Sequence, residues 1–383
     1  MDDVVIAGSG PAGAFAAWML ARRGVRVTLL DRARFPRAKL CGDTINPGAV
    51  ALLGRHFDLA PLAARGCTIL GMLISGPGGV RVRGEYGPGI GGLGVTRHVL
   101  DAWLVEQAVA AGARLAEQTT VSGPVLDAAG RVRGVRARHH AGGLATFSAP
   151  LTFAADGRPS RLGGALALSR PARRPRRWAV GGYFEGVDGL GPIGEMHVRA
   201  GHYLGVAPTA DGRANACLVQ APTSGGAWRQ PEALLLAALR ADPELGPRFR
   251  TARLVTRPQV LGPLAVETPV PGAPGLLLLG DAAGFVDPMT GDGIHLALQG
   301  AELAADTAFD VLGGRLDPAM AHARYARALG RRLSRKRRFD RVLRGLVGMP
   351  AAVRAAAVGA TLWPGAFGAI IRYAGDVPGR SGQ

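Results

Sequence analysis

Two hydrophobic periods alternate along this chain, and the places where one gives way to the other outline its parts. Val4–Ala7 is a short apolar run that reads as a buried strand. Ala14–Arg23 is rich in helix formers, and Val25–Leu30 returns to strand character. The runs Leu151–Ala155 and Leu276–Leu279 are also unbroken and apolar, as strands buried on both faces are. A helix is expected to follow Val95–Asp101 and run to about Ala111, and another over Ile294–Ala305. Elsewhere the period is two: Met72–Arg83 alternates around Gly76-Pro77-Gly78-Gly79. Trp178–Phe184, Gly194–Arg199, His202–Ala207 and Ala214–Gln220 likewise read as strands joined by glycine and aspartate turns.

Chemistry collects where the apolar runs end. Between the first strand and first helix stands Gly8-Ser9-Gly10-Pro11-Ala12-Gly13, in the strand, glycine turn, helix, strand order of a dinucleotide-binding unit. Gly8 allows the tight turn, Gly10 lets the backbone approach a pyrophosphate, and Gly13 lets the helix sit close to the strand, with Ala12 in the same loop also expected at the cofactor. Helix N-terminal amides then face the phosphates. Asp31, followed by Arg32, ends the second strand where a carboxylate accepts from an adenosine ribose. Asp156-Gly157 ends a later apolar run, and Gly280-Asp281 ends the last. An aspartate at the end of a buried strand is costly unless hydroxyls or amides satisfy it.

The 383 residues exceed a typical single domain, and two intertwined lobes are expected. Lys+Arg outnumber Asp+Glu by 46 to 28, a formal +18, yet Lys39 and Lys336 are the only lysines. Such an arginine bias is discounted as a sign of nucleic-acid binding; an anionic cofactor or lipid surface is the expected partner. Cys41, Cys67 and Cys217 have no metal-ligand spacing and are odd in number, so neither a metal site nor a disulfide framework is expected. The acidic start, Met1-Asp2-Asp3, does not suit a secretory signal, and a cytoplasmic location is expected. Near the C-terminus, Arg331–Arg338 is a dense cationic run, and Leu343–Ile371 is apolar but broken by Gly345, Pro350, Arg354 and Pro364. That segment is too broken to span a bilayer. It reads either as a basic patch for peripheral membrane contact or as a helical cap with a solvated arginine face.

Taken in order, Gly8–Gly13, Asp31, Lys39-Leu40-Cys41-Gly42-Asp43, Arg97, Ala155-Asp156-Gly157 and Gly280–Gly284 resemble the FAD-dependent oxidoreductases of the p-hydroxybenzoate hydroxylase and geranylgeranyl reductase superfamily. The resemblance implies an α/β fold: a Rossmann-like FAD-binding domain of the glutathione reductase type, an inserted antiparallel β-sheet substrate domain and a C-terminal helical region. The boundaries expected are 1–70, 95–170 and 262–320 for the FAD domain, 71–94 and 171–261 for the substrate domain, and 321–383 for the helical region. It also implies that Asp281 binds the ribityl or pyrophosphate part of FAD and that Pro288 passes beside the flavin. Gly291, Gly293 and Ile294 begin a helix whose positive end would favour the anion of a reduced flavin. Arg97 would reach the cofactor from the side, and Cys41 matches a cysteine near the flavin in the reductase branch. His295 is a candidate for facing substrate or flavin, with simple packing as its alternative.

Two reactions fit such a site. The first expectation is a monooxygenase that hydroxylates a lipophilic aromatic, polyketide or quinone-like molecule with O2, NAD(P)H serving as a transient reductant. Its alternative is reduction of a carbon–carbon double bond, as geranylgeranyl reductases perform. The Phe285–Gly293 segment favours the reductase branch; the strand His202–Pro208, without the family's frequent tryptophan, leans the other way. A halogenase is disfavoured, because Lys39 lies in the cofactor segment and Lys336 in the basic tail. A third reading, of another class, is a flavin-retaining adaptor at a membrane surface.

Overall fold

Strands that are apolar throughout must cover both faces, and here they stack side by side. In the computed structural model a six-stranded sheet runs in the order Gly272–Ala273, Leu276–Leu278, Leu151–Ala154, Val4–Ala7, Val27–Leu30, Arg114–Ala116. Its pairings are parallel except the first. The four middle strands are buried at every position. The structure describes residues 1–172, 176–222, 226–347 and 363–377, together with 355, 358 and 359.

The register decides where the loops go. Ala7 lies opposite both Ala154 and Leu30, and Ala154 opposite Leu278, so these strands finish on one edge. Gly8, Asp31, Asp156 and Asp281 therefore emerge together at the carboxyl end of a parallel sheet, where open α/β folds bind ligands. The helix Pro11–Ala21 is buried at all eleven positions. It packs between the helices Arg97–Ala110 and Gly293–Leu312. The latter outruns the expected Ile294–Ala305, because Ala308 and Val311 continue its buried stripe.

A second sheet carries the period-two segments, in the order Arg253–Leu254, Trp178–Glu185, Ala214–Gln220, His202–Pro208, Ile193–Arg199, Gly71–Gly76, Val80–Glu85. It is not antiparallel throughout: Ile193–Arg199 runs parallel to Gly71–Gly76. Alternation divides its faces. Val180, Phe184, Leu204 and Leu218 pack against Leu235 and Leu239 of the helix Pro231–Ala241. Ala179, Tyr203 and Val219 point the other way and meet Leu264 and Met289 of the first lobe. Among the described residues, the C-terminal part includes the helices Ala321–Val347 and Pro364–Ala374. Ile371, 2% exposed, packs on Ile69 and on Tyr86, which follows the second sheet's edge strand Val80–Glu85. Pro350 and Arg354 lie outside the described residues.

Candidate functional site

Close backbone approach builds the centre of the site. A Cβ on Gly13 would stand 1.9 Å from the Gly8 carbonyl oxygen, so only glycine lets the helix start this near the strand. Gly8 has φ +97°, and a Cβ there would lie 2.4 Å from the Ala155 oxygen. Asp31 ties this loop to the next strand: its carboxylate accepts from the N–H of Ser9 and of Ala33, both at 2.8 Å. Arg32 beside it is exposed. Asp156 accepts from Arg161 N–H at 2.7 Å, and burial raises its pKa. From the far strand, Gly280 comes so near the first helix that a Cβ there would be 3.1 Å from that of Ala12. Segments some 270 positions apart thus meet at one point.

Around that point the charge is positive. Arg97, 6% exposed, holds Asp101 through two hydrogen bonds of 2.7 Å, and Arg37 reaches the same carboxylate at 3.0 Å. Both guanidinium groups border the space above Gly10, 3.6 and 3.7 Å from where its Cβ would be. Lys39 approaches Gly157 from the other side. Its pKa is pulled down to about 8 by crowding of protein atoms and then by the Arg97 charge. Asp281 pairs with Arg158 at 2.8 Å, and that guanidinium lies 3.8 Å above the Phe285 ring. Asp281, expected to meet the ribityl or pyrophosphate part of FAD, is thus one half of an ion pair in this structure, as a half-buried carboxylate needs a partner.

Where the two lobes meet, Cys41 and Asp43 lie against the second sheet. The Cys41 carbonyl accepts from Asn215, and the buried Asp43 accepts from Asn215 at 2.8 Å and from the Tyr183 hydroxyl. Burial pushes the Cys41 thiol up, and Arg97 touches it. Nearby, Asp287 is held by Tyr203 at 2.6 Å and Arg177 at 3.2 Å, which fixes the turn Pro288–Thr290. Leu40, Met196, Leu261 and Phe285 surround Tyr203 and Met289 as an apolar wall.

Residues 1–183 match the family model described as FAD binding domain. A digeranylgeranylglycerophospholipid reductase of Methanopyrus kandleri is 32% identical over 331 residues, covering 81% of this chain and 77% of that protein. The chain belongs to the FAD-dependent oxidoreductases of the p-hydroxybenzoate hydroxylase and geranylgeranyl reductase superfamily. A menaquinone reductase of Mycolicibacterium smegmatis is 30% identical over 380 residues, covering 92% and 88% of the two chains. A myxobacterial chondrochloren halogenase has the same fold, with a TM-score of 0.80 at 24% identity over 88% of this chain and 81% of that one.

For an FAD-dependent oxidoreductase the residues at the strand ends are suitable. The glycine cradle leaves room that a side chain would fill, its rim is cationic, and Ser9 Oγ and Asp156 Oδ1 are buried with no protein partner. The helix Gly293–Leu312 starts without a side-chain cap, and its first amides lie beside Gly291, which is left-handed at φ +66°. His295 is buried near the start of this helix, in keeping with the packed alternative that its sequence left open. Its Nδ1 meets Asp376 at 2.9 Å and its Nε2 meets Gln299 at 3.1 Å, so both ring nitrogens are used. Arg37, Lys39, Asp43 and Arg158 were not singled out from sequence as site residues. Lys39 and Asp43 stand in a motif that was quoted, and Arg158 follows Asp156-Gly157, so proximity to those motifs was the available signal.

Proposed function

We propose that this protein reduces carbon–carbon double bonds of an isoprenoid chain on a lipid or quinone. The supporting observation is that relatives at 30% identity or more over most of both chains carry the names digeranylgeranylglycerophospholipid reductase and menaquinone reductase. Hydroxylation, the first expectation from sequence, has no comparable support and gives way to its alternative. An apolar wall of Leu40, Met196, Leu261 and Phe285 suits a hydrocarbon chain and excludes water from it.

In this reading Gly8, Gly10, Ala12 and Gly13 carry the pyrophosphate of FAD, with Arg37, Lys39 and Arg97 offsetting its charge. Asp31 and Arg32 serve the adenosine ribose, and Asp156, Gly157, Gly280 and Asp281 serve the ribityl side, Arg158 giving up Asp281 when hydroxyls replace it. Gly291, Gly293 and Ile294 present helix amides to the pyrimidine edge, with Pro288 beside them and Cys41 across the seam. We assign His295 to the C-terminal contact rather than to the reacting centre. Bound and reduced, FAD would supply hydride; NAD(P)H binds transiently to recharge it. The division of the chain into 1–70, 95–170 and 262–320 for cofactor, 71–94 and 171–261 for substrate, and 321–383 as a helical region belongs to the same proposal. So does peripheral contact with an anionic membrane, where such substrates reside; among the described residues no helix is long and apolar enough to cross one.

The test is product mass. Holoprotein reduced under nitrogen should convert geranylgeranylated lipid or menaquinone to a product heavier by two hydrogens per saturated bond. A product heavier by one oxygen, formed only in air, would overturn the reading in favour of hydroxylation.

A further inference from the structure

Saturating a double bond needs a proton as well as a hydride, and one buried carboxyl stands apart from every ion pair at the seam of the two lobes. Asp43 is 0% exposed and has φ +52°, in the left-handed region that Asp and Asn tolerate best. Its oxygens have unequal surroundings. Oδ2 accepts from the Tyr183 hydroxyl and from Asn215 Nδ2, whereas Oδ1 is buried with no protein partner. The amide orientation of Asn215 is fixed on both sides. Its Nδ2 also donates to the Cys41 carbonyl at 3.0 Å, and its Oδ1 accepts from the Cys217 thiol at 3.1 Å. With Oδ2 occupied by two donors, a proton on this carboxyl sits on Oδ1.

We propose that Asp43 Oδ1 holds the proton for the reduction and that Tyr183 and Asn215 position it, an inference that rests on the reductase reading. The balance is complete. The carbon–carbon π bond breaks as hydride from the reduced cofactor forms a C–H bond at one carbon. The O–H bond of Asp43 breaks as its proton forms a C–H bond at the other. Two electrons leave the cofactor, and the Asp43 carboxylate regains a proton from solvent. An isolated alkene is a poor base, so the acid must be dry and held in one orientation; Asp43 is buried, and Tyr183 and Asn215 fix its carboxyl.

The surrounding charges agree with that task. Tyr183, Asn215, Cys41, Cys217 and Arg97 are the polar or titratable groups facing Asp43. Burial outweighs the hydrogen bonds of Tyr183 and Asn215 and the Arg97 charge, and lifts the carboxyl to about 7. It can therefore be protonated, spend its proton and recover it near neutrality. The Cys41 thiol, pushed above its ordinary value by the same burial, is a poorer source.

Asp43→Asn keeps the shape and the backbone preference, so the fold should hold. The holoprotein is measured without substrate by infrared titration. A protonated-carboxyl band should vanish as pH rises through about 7, be absent from Asp43→Asn, persist in Cys41→Ser, and titrate at higher pH in Tyr183→Phe, which loses a donor to the ionised form. In single turnovers Asp43→Asn should bind FAD and accept electrons from NAD(P)H as the wild type does, while alkene reduction slows by a hundredfold or more, about what a lost general acid costs. A missing band, or an unchanged alkene rate, overturns the assignment of Asp43 alone. Failure of the wild type to reduce any isoprenoid alkene sinks the reductase reading instead, with the infrared titration unaffected.

Discussion

Ser75, His197 and Glu195 line up at 2.8 and 2.9 Å on the helix-covered face of the second sheet, in an order that resembles a hydrolase triad. Burial forbids that use: Ser75 and His197 are 0% exposed, and Arg199 donates to the serine oxygen at 3.0 Å. The arrangement is a structural charge network. Burial alone would raise Glu195, but His197 and the two contacts from Arg248 hold it down at about 2. A carboxylate depressed in the folded state adds stability above its unfolded pKa and loses it as pH falls through the folded value. Between an unfolded pKa of roughly 4.3 and the folded value this amounts to about 3 kcal/mol. Thermal midpoints of wild type and Glu195→Gln should therefore differ most near pH 7 and converge toward pH 2; a constant gap would show that Glu195 does not titrate as described. None of this could be read from sequence, because Arg248 lies 53 positions from Glu195. The glycine loop, Asp31 and Gly280-Asp281 were legible, since their chemistry follows from the strand each one ends. Asp281's partner Arg158 was not, because an ion pair follows from packing and leaves no periodic trace.

At the scale of elements, the C-terminal helices are fastened to the cofactor lobe by one cluster. Lys336, 6% exposed, donates to the carbonyls of Tyr373 and Ala374 at 3.0 and 2.7 Å and lies 3.1 Å from Asp376 and 3.6 Å from Asp292. Asp376 also accepts from Asn46, and its pKa, which burial would raise, is held down by His295 and Lys336. Burial and then the neighbouring Asp292 push Asp340 upward, so this helix pair keeps one carboxyl protonated. Lys336→Met would strand two carboxylates, Asp292 and Asp376, around an apolar tip. A loss of about 3–5 kcal/mol is expected, as for a buried pair broken on one side. Amide exchange should accelerate over 364–374 before the six-stranded sheet loosens; equal protection of that helix in wild type and variant would refute the fastening role. The helices themselves were readable only in part. A helical C-terminal region was implied by the resemblance, yet its anchor on Asn46 and Asp292 joins residues up to 330 positions apart. The long strands of the second sheet were plain in sequence, whereas Thr119–Leu126 and Val132–His139 were not singled out; Arg170–Pro171, Arg253–Leu254 and Val266–Glu267 were not legible either, because two residues carry no period.

For the whole molecule the open question is what its +18 charge meets. Along the helix Ala321–Val347, Leu329, Leu333, Lys336 and Asp340 face inward, so Arg331, Arg335, Arg338 and Val342, spaced by three or four, share the exposed side. On the neighbouring helix Ile370 and Tyr373 are 41% and 47% exposed, and Trp363 just before it is 68% exposed. Phe339 and Tyr373 meet edge to face at 4.9 Å, which joins the arginine-bearing helix to the one that carries Ile370 and Tyr373. Bases next to exposed aromatic and aliphatic groups suit an anionic lipid surface, and a basic residue near such a surface contributes about 1 kcal/mol. Replacing Arg331, Arg335 and Arg338 together by glutamine should thus weaken binding to phosphatidylserine vesicles by roughly a hundredfold. Binding should weaken with added salt, since the attraction fades within a Debye length. Trp363→Ala should weaken it at any salt concentration. Co-sedimentation with vesicles checks both variants: equal binding to neutral vesicles, or no loss in the triple variant, would mean that the arginine face is merely solvated and the two helices only cap the fold.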